Sequence, residues 1–416
     1  MQGNEKREVV VIGAGAVGVS CALWLRRKGF DVLLVDRGDI AGAASFGNAA
    51  TIADYACTPI PQPKIWRDLP GLLFGVESPL SIRWSRLGNF ATWLAAFLGQ
   101  CNRRAYLSNT GALAALLRGT HDGYAPLLDD APNAAALVRR EGCLYAYQTE
   151  AAFRRATDDI KLRAELGVRQ EMLSASELAQ LEPALHQRAV GAVLFPSASH
   201  LVDPQSFVWE LAKPLIAEQR HVRMDVSTIA TSAAGVSLRS AKGEEIRADR
   251  VVIAGGAWSA KLAAQLGDRI PLGAERGYHV EFQLKEPLFT RPTCIAESSF
   301  YMTPLRDLRL RAAGTVELSG LRLPLNPART DFIERNIRRN IRLDAPVTSS
   351  WLGIRPTMPD YLPVIGHSSA DERVIYAFGH QHLGMTLAGT TGDMVARLIE
   401  GKKPKELEQF SVARFK

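Results

Sequence analysis

The chain is poor in the features that would make it fibrous, disulfide-stapled or membrane-spanning. Among 416 residues there are five cysteines, Cys21, Cys57, Cys101, Cys143 and Cys294, and neighbours among them lie at least 36 positions apart. An odd number at such spacing supplies no CxxC pair, zinc knuckle or disulfide framework, so buried thiols and a reducing, cytoplasmic setting are expected. No stretch reaches the roughly 20 apolar residues of a spanning helix. The uncharged run from Val9 to Leu25 is broken by Gly13, Gly15 and Gly18, and Leu87 to Gln100 is shorter still. Glu5 and Glu8 dilute the positive charge of Lys6 and Arg7, which argues against a secretory leader. Fixed-period repeats and low-complexity tracts are missing, as are HExxH-like spacings, a GxSxG turn and any run of five basic residues. A metal centre, a serine hydrolase and a nucleic-acid surface are therefore not expected.

What is present is ordinary for a soluble globular chain. Apolar residues make up 47% and charged residues 22%. At about 150 residues per domain the length suggests two or three domains. The net charge of +7 is mild for this length; it permits an anionic ligand or peripheral contact with an anionic membrane and requires neither.

The first 36 residues carry the clearest pattern. Val9-Val10-Val11-Ile12 reads as a buried strand, and Gly13-Ala14-Gly15-Ala16-Val17-Gly18 is a GxGxxG turn. In such a turn the first glycine allows the tight bend, the second admits a pyrophosphate and the third lets helix and strand pack closely. The helix that follows offers unpaired N–H groups and partial positive charge to the phosphates. Val17, Cys21, Trp24 and Leu25 form its expected apolar stripe, and Gly29 suits its C-terminal cap. A second strand, Val32 to Val35, delivers Asp36, placed to accept ribose hydroxyls and hostile to a 2′-phosphate. The spacing leaves NAD and FAD both open. The small-residue run Gly42 to Ala50 favours FAD, because NAD domains usually continue with further strand–helix units after the acid.

Four prolines in 59–70 predict an irregular crossing, 80–140 a helical stretch and 142–147 a short strand. Ser174 to Glu177 resembles a capping box. Short strands are expected from His221 to Val226, Gly235 to Arg239, Glu245 to Ala248 and Val251 to Ile253. A mixed sheet is expected over 278–318, a solvated charged helix from Asp331 to Arg342, a strand at 374–378 and a helix from Leu387 to Ile399. Nucleotide-domain signals at both ends and in the middle imply two interleaved domains.

Together the glycine turn with its acid, Ser45-Phe46-Gly47-Asn48-Ala49, Glu77-Ser78-Pro79-Leu80, the run from Ala248 to Ser259, and Glu275-Arg276-Gly277-Tyr278 resemble the FAD-dependent D-amino acid oxidase and dehydrogenase family. Gly353 to Asp360, Pro363 to Gly366 and Gly379 to Thr386 continue the resemblance in family order and spacing. Asp36 stands where that family mostly has Glu, and His382 where its members vary. The resemblance implies an α/β fold: a Rossmann-like FAD domain from about 1–80, 150–265 and 350–416, interleaved with a mixed-sheet substrate domain from about 81–149 and 266–349. It implies FAD contacts at Gly13, Gly15, Ala16, Val17, Gly18, Asp36, Arg37, Ser45, Asn48, Ala49, Val226, Gly255, Trp258, Gly353, Gly384, Met385 and Thr386.

Arg355 is the leading catalytic candidate, since a guanidinium fork matches a carboxylate bidentately and stays charged at any working pH. Tyr278 and Tyr301 are candidates to cap a carboxylate or close the pocket. His382, and less strongly His380, are candidates to line the flavin or substrate; Glu275 and Arg276 are expected to pair at the surface. The expected activity is oxidation of a D-amino acid or a cyclic secondary amino acid, such as D-proline or hydroxy-D-proline, at Cα, with electrons passed to a quinone or other carrier. An oxygen-using glycine or sarcosine-type oxidase, a flavin subunit of an amine-oxidising complex and an NAD-dependent reductase are the alternatives.

Overall fold

A computed structural model describes residues 7–75, 78–83, 88, 90–185, 187–402 and 404–415. Glu77, quoted in the family resemblance, lies outside the described residues. Two large sheets organise the chain, with a cavity between them.

The first sheet has eight strands. Arg7–Ile12 sits near its centre, pairing in parallel with Val32–Asp36 on one side and Glu245–Ile253 on the other. His221–Arg223 extends one edge in parallel, and Val374–Phe378 pairs in parallel with Glu245–Ile253. Every position of Val374–Phe378 is buried, as expected of a parallel strand covered on both faces. Glu245–Ile253 is one continuous strand rather than two, because its polar half pairs with the hairpin partner Gly235–Ser240 while its apolar half enters the core. The helix Ala16–Arg27 follows the glycine turn. It is buried on nearly all sides, including Ser20, Ala22 and Leu23, so the expected single stripe understates it. The reason is the C-terminal helix Gly384–Ile399, which packs along it at Gly392, where a side chain would meet Trp24 and the Ser20 backbone.

The second sheet has nine strands, eight of them in the order Val347–Thr357, Gly273–Gln283, Arg309–Leu318, Phe300–Pro304, Thr293–Ile295, Cys143–Tyr147, Gly191–Phe195 and Glu171–Ser174. The ninth, Leu80–Ile82, pairs in parallel with Arg309–Leu318. The helix Pro327–Asn340 is charged as expected, yet it buries Phe332, Ile333 and Ile337 against this sheet and is solvated on only one side. The sheets do not follow the boundaries drawn from the sequence. Glu171–Ser174 and Gly191–Phe195 join the second sheet although they lie within 150–265, and Val347–Thr357 belongs there too. Conversely, Thr120–Asp129 packs on the C-terminal helix of the first body, with Gly123 and Gly389 in close approach.

Two local expectations meet different outcomes. The capping box forms, with Ser174 and Glu177 bonded reciprocally at the start of Ala175–Leu181. The proline-rich crossing is only partly irregular, because Ile65–Phe74 is a helix containing Pro70. Among the described residues no helix is long and apolar enough to cross a membrane.

Candidate active site

The cavity measures about 1500 Å³ and runs from the glycine turn, across the second sheet, to helices Ile65–Phe74 and Ala91–Gln100. Its first end is built largely from backbone. Gly13 has φ +112°, and a side chain there would strike the Ala254 carbonyl, so only glycine makes this bend. At Gly15 an added Cβ would meet only Ser45 Oγ, leaving room in front of the helix. The helix starts without a side-chain cap at Gly15. Ser45 Oγ accepts the Ala16 N–H at 2.9 Å, and the N–H groups of Val17 and Gly18 have no intrahelical acceptor. Asp36 lines the same end, its two oxygens held by the N–H groups of Ala14 and Gly38, each at 2.7 Å. A carboxylate with about four acceptor positions retains capacity for ribose hydroxyls. Arg37 lies 3.8 Å over the Trp258 ring, and Val226 and Gly255 complete this wall. Open helix N–H groups, a glycine-lined approach and a fixed acid suit a dinucleotide, and the residues present fit FAD.

The small-residue run is clamped from the second sheet. Arg311 donates to the Asn48 carbonyl at 2.8 Å, Thr303 to the Ala49 carbonyl at 2.7 Å, and His279 Nδ1 to the Gly47 carbonyl at 2.8 Å. Burial and the Arg311 charge push the His279 pKa down to about 3, so it donates as a neutral ring. Trp351 wedges between Gly47 and Gly353, where any side chain would enter its indole, and stacks on His279 with centroids 5.2 Å apart. Asn48, Ala49 and Gly353 thereby line the cavity.

Arg355 lies on Val347–Thr357, the end strand of the second sheet, and its side chain reaches inward over the neighbouring strands. Its guanidinium lies across Gly277, where a Cβ would come within 2.5 Å, and Nη1 donates to the Thr315 carbonyl at 3.1 Å. Glu275 faces it across the strand pair, and Tyr361 donates to Glu275 Oε1 at 3.0 Å. No described carboxylate comes within 4 Å of Arg355. Burial lowers the Arg355 pKa and Glu275 counters this, while burial raises that of Glu275 and Arg355 counters it. The result is a half-buried cation on the cavity wall with donor capacity to spare. Glu275 and Arg276 do not pair at the surface: both are buried, and Arg276 pairs with Glu317 at 3.3 Å.

His382 lines the cavity from an exposed position, and partial desolvation together with the Arg355 charge lowers its pKa. His380 also borders the cavity; it is buried and its Nε2 bonds Thr391 Oγ1 at 2.9 Å. Gly384 and Met385 line the cavity at the start of the C-terminal helix. Thr386 is buried away from it and accepts the Ala53 N–H at 3.0 Å, and Gly18 packs against the Gly13 backbone. Tyr301 lines the cavity, its hydroxyl bonded to that of Tyr145, and burial keeps both phenols protonated. Tyr278 differs from its expected role. Although the residue borders the cavity, its ring belongs to the core shared with Pro327–Asn340 and its hydroxyl is engaged by Glu317. Sequence reasoning missed the cavity roles of Glu275, Tyr361, Tyr145 and Arg163, because only non-local packing of strands, a loop and a helix brings them to one cavity. The described residues hold no group of three or more His, Cys, Asp or Glu that could bind a metal.

Comparison with known proteins agrees with this geometry. A family model described as FAD dependent oxidoreductase matches residues 8–398. The chain is 36% identical to a D-amino-acid oxidase of Bradyrhizobium diazoefficiens, over 99% of each chain. Glycine oxidase from Geobacillus kaustophilus superposes with a TM-score of 0.79 at 20% identity, covering 99% of both chains. Iminodiacetate oxidase from Chelativorans sp. BNC1 gives 0.75 at 19% identity, covering 97% of this chain and 98% of that one.

Proposed function

The chain belongs to the FAD dependent oxidoreductase family and is an FAD-dependent amino acid oxidoreductase; on that premise we propose that it oxidises a D-amino acid or a cyclic secondary amino acid at Cα. The observation that carries this reading is Arg355, a cation on the wall of the cofactor cavity with no described carboxylate paired to it. A guanidinium there binds the substrate carboxylate through two parallel hydrogen bonds, which fixes the orientation of the Cα hydrogen. Bound FAD supplies the acceptor for the hydride. The substrate nitrogen must be unprotonated for C=N to form as the Cα hydrogen leaves with its electron pair. His382 stays neutral at pH 7, and the Tyr301–Tyr145 pair stays protonated, so these groups donate hydrogen bonds and orient without storing charge. The imino acid product is hydrolysed by water or, where tethered, remains cyclic.

We place the electrons on a quinone or similar carrier. In support, one arm of the cavity is apolar, lined by Leu69, Leu72 and Leu73 opposite Leu94, Phe97 and Leu98. Trp66 and Ile60 nearby are 54% and 41% exposed, which suits peripheral contact with a membrane surface. The oxidase reading draws support from the D-amino-acid oxidase relative. A panel of D- and L-amino acids, D-proline and hydroxy-D-proline, assayed with a quinone analogue and separately in air, tests both parts. Turnover of D-substrates with the quinone and little peroxide in air is expected. Stoichiometric peroxide at full rate makes the protein an oxidase, and failure of every amino acid rejects the substrate class.

A further inference from the structure

Helix Thr157–Glu165 is polar along its length, yet the one side chain it buries among its described positions is charged. That residue, Arg163, is 7% exposed and lines the same cavity as Arg355. Its Nη2 donates to Thr58 Oγ1 at 3.0 Å, and its Nε is buried with no partner. The guanidinium carbon lies 5.7 Å from the Phe195 ring and 6.0 Å from the Tyr145 ring. One helical turn away, Asp159 is engaged by Lys64 at 3.4 Å and Tyr106 at 3.2 Å, and no described carboxylate comes within 4 Å of Arg163. Arginine is almost never buried without an anion, because leaving water costs a cation several kcal/mol unless a partner restores the attraction. Two aromatic faces and one hydroxyl return only part of that.

Resting on the amino acid reading above, we propose that Arg163 binds a second carboxylate, carried on the side chain or nitrogen substituent of the substrate, while Arg355 binds the first. Strand order sets the scale. Arg355 leans over the strand of Thr315, whereas Arg163 lies over the strand of Tyr145, with the strands of Tyr301 and Cys294 between them. Three strand spacings are about 14 Å, so the ligand is an elongated dicarboxylic amino acid rather than a glycine-sized one. Tyr301 and Tyr145 lie between the two cations and offer hydroxyls along the way.

The test uses the FAD-loaded protein and dicarboxylates that cannot be oxidised. Glutarate, adipate and pimelate are titrated against butyrate, hexanoate and heptanoate, with the flavin difference spectrum or heat of binding as readout. At least one dicarboxylate is expected to bind tenfold or more tighter than the monocarboxylate of equal length. Arg163→Met should remove that preference, leaving FAD content and monocarboxylate affinity within about twofold of the parent. If Arg163→Met does not fold, Thr58→Val, which frees the guanidinium from its fixed partner, should reduce the preference severalfold. A parent protein without dicarboxylate preference overturns the proposal, as does a preference that survives Arg163→Met or, in its place, Thr58→Val. Bleaching of the flavin by D-norleucine and D-2-aminoadipate separates the two readings. If both bleach it and the dicarboxylate preference is missing, the Arg163 proposal alone fails; if no amino acid bleaches it, the amino acid reading fails.

Discussion

The two ends of the cavity hold their ligands by different means. At the glycine turn, backbone N–H groups and one carboxylate fixed by two amides line the wall. Across the second sheet, the wall carries half-buried or buried guanidinium groups whose nearest acceptors are a carbonyl and a hydroxyl. Backbone donors do not change with a side chain, so the first end should vary little in what it accepts. Side-chain cations, Arg355 on a strand and Arg163 on a helix, can be replaced one at a time, so the second end is where substrate choice should reside. The lesson is one of separability: damage at one end should leave the ligand of the other largely untouched.

The largest expected effect comes from Arg355→Lys. The charge remains, but the second hydrogen bond and the planar fork are lost. Apparent substrate affinity and the rate of flavin reduction should fall together by about 2–5 kcal/mol, with FAD content near normal. Stopped-flow reduction without oxygen checks this, and an amine lacking the carboxylate should react equally poorly with both proteins. Next comes Asp36→Ala, which removes a charge-assisted ribose contact and should weaken FAD by roughly 1.5–3 kcal/mol. Equilibrium dialysis of FAD reads the loss; parental retention would move the ribose contact elsewhere. FAD should also leave the denatured protein, since Cys57, the cysteine nearest the small-residue run, is fully buried. Acid precipitation that kept the yellow colour in the pellet would contradict non-covalent binding.

A smaller effect follows from a buried histidine. Burial lowers the His380 pKa to about 3. Above pH 6.5 neither folded nor unfolded chain binds a proton there. Below it the unfolded chain protonates first, so stability should fall as pH drops from about 6.5 towards 4. His380 contributes up to about 1.4 kcal/mol per pH unit. Melting temperatures across that range should fall less steeply for His380→Asn, whose amide can still reach Thr391. An unchanged slope would place the acid sensitivity on other groups.

The same contrast explains what could be read from the chain. The cofactor end is contiguous: strand, turn, helix, strand and Asp36 occupy the first 36 residues, and their spacing alone fixes the geometry. Arg355 was legible through its motif, although the Glu275 and Gly277 register that positions it was not. Tyr278 borders the cavity as Gly277 does, but its ring packs into the core and its hydroxyl is engaged by Glu317, a partner that local sequence does not show. Arg163 carried no signal at all, since a lone arginine on a polar helix reads as a solvated residue until the fold buries it. Sheet membership was not legible for a related reason: non-local pairing, not local composition, decides which sheet a strand such as Gly191–Phe195 joins.

Separability of the two ends is most directly tested by one set of titrations. Parent, Asp36→Ala reconstituted with excess FAD, and Arg355→Lys are each titrated with a non-oxidisable monocarboxylate, following the flavin absorbance. The expected result is an unchanged dissociation constant for Asp36→Ala and one at least tenfold weaker for Arg355→Lys, with FAD retention showing the reverse pattern. Equal carboxylate affinity in Arg355→Lys and the parent would contradict the account, because the cavity would then hold its substrate somewhere other than Arg355.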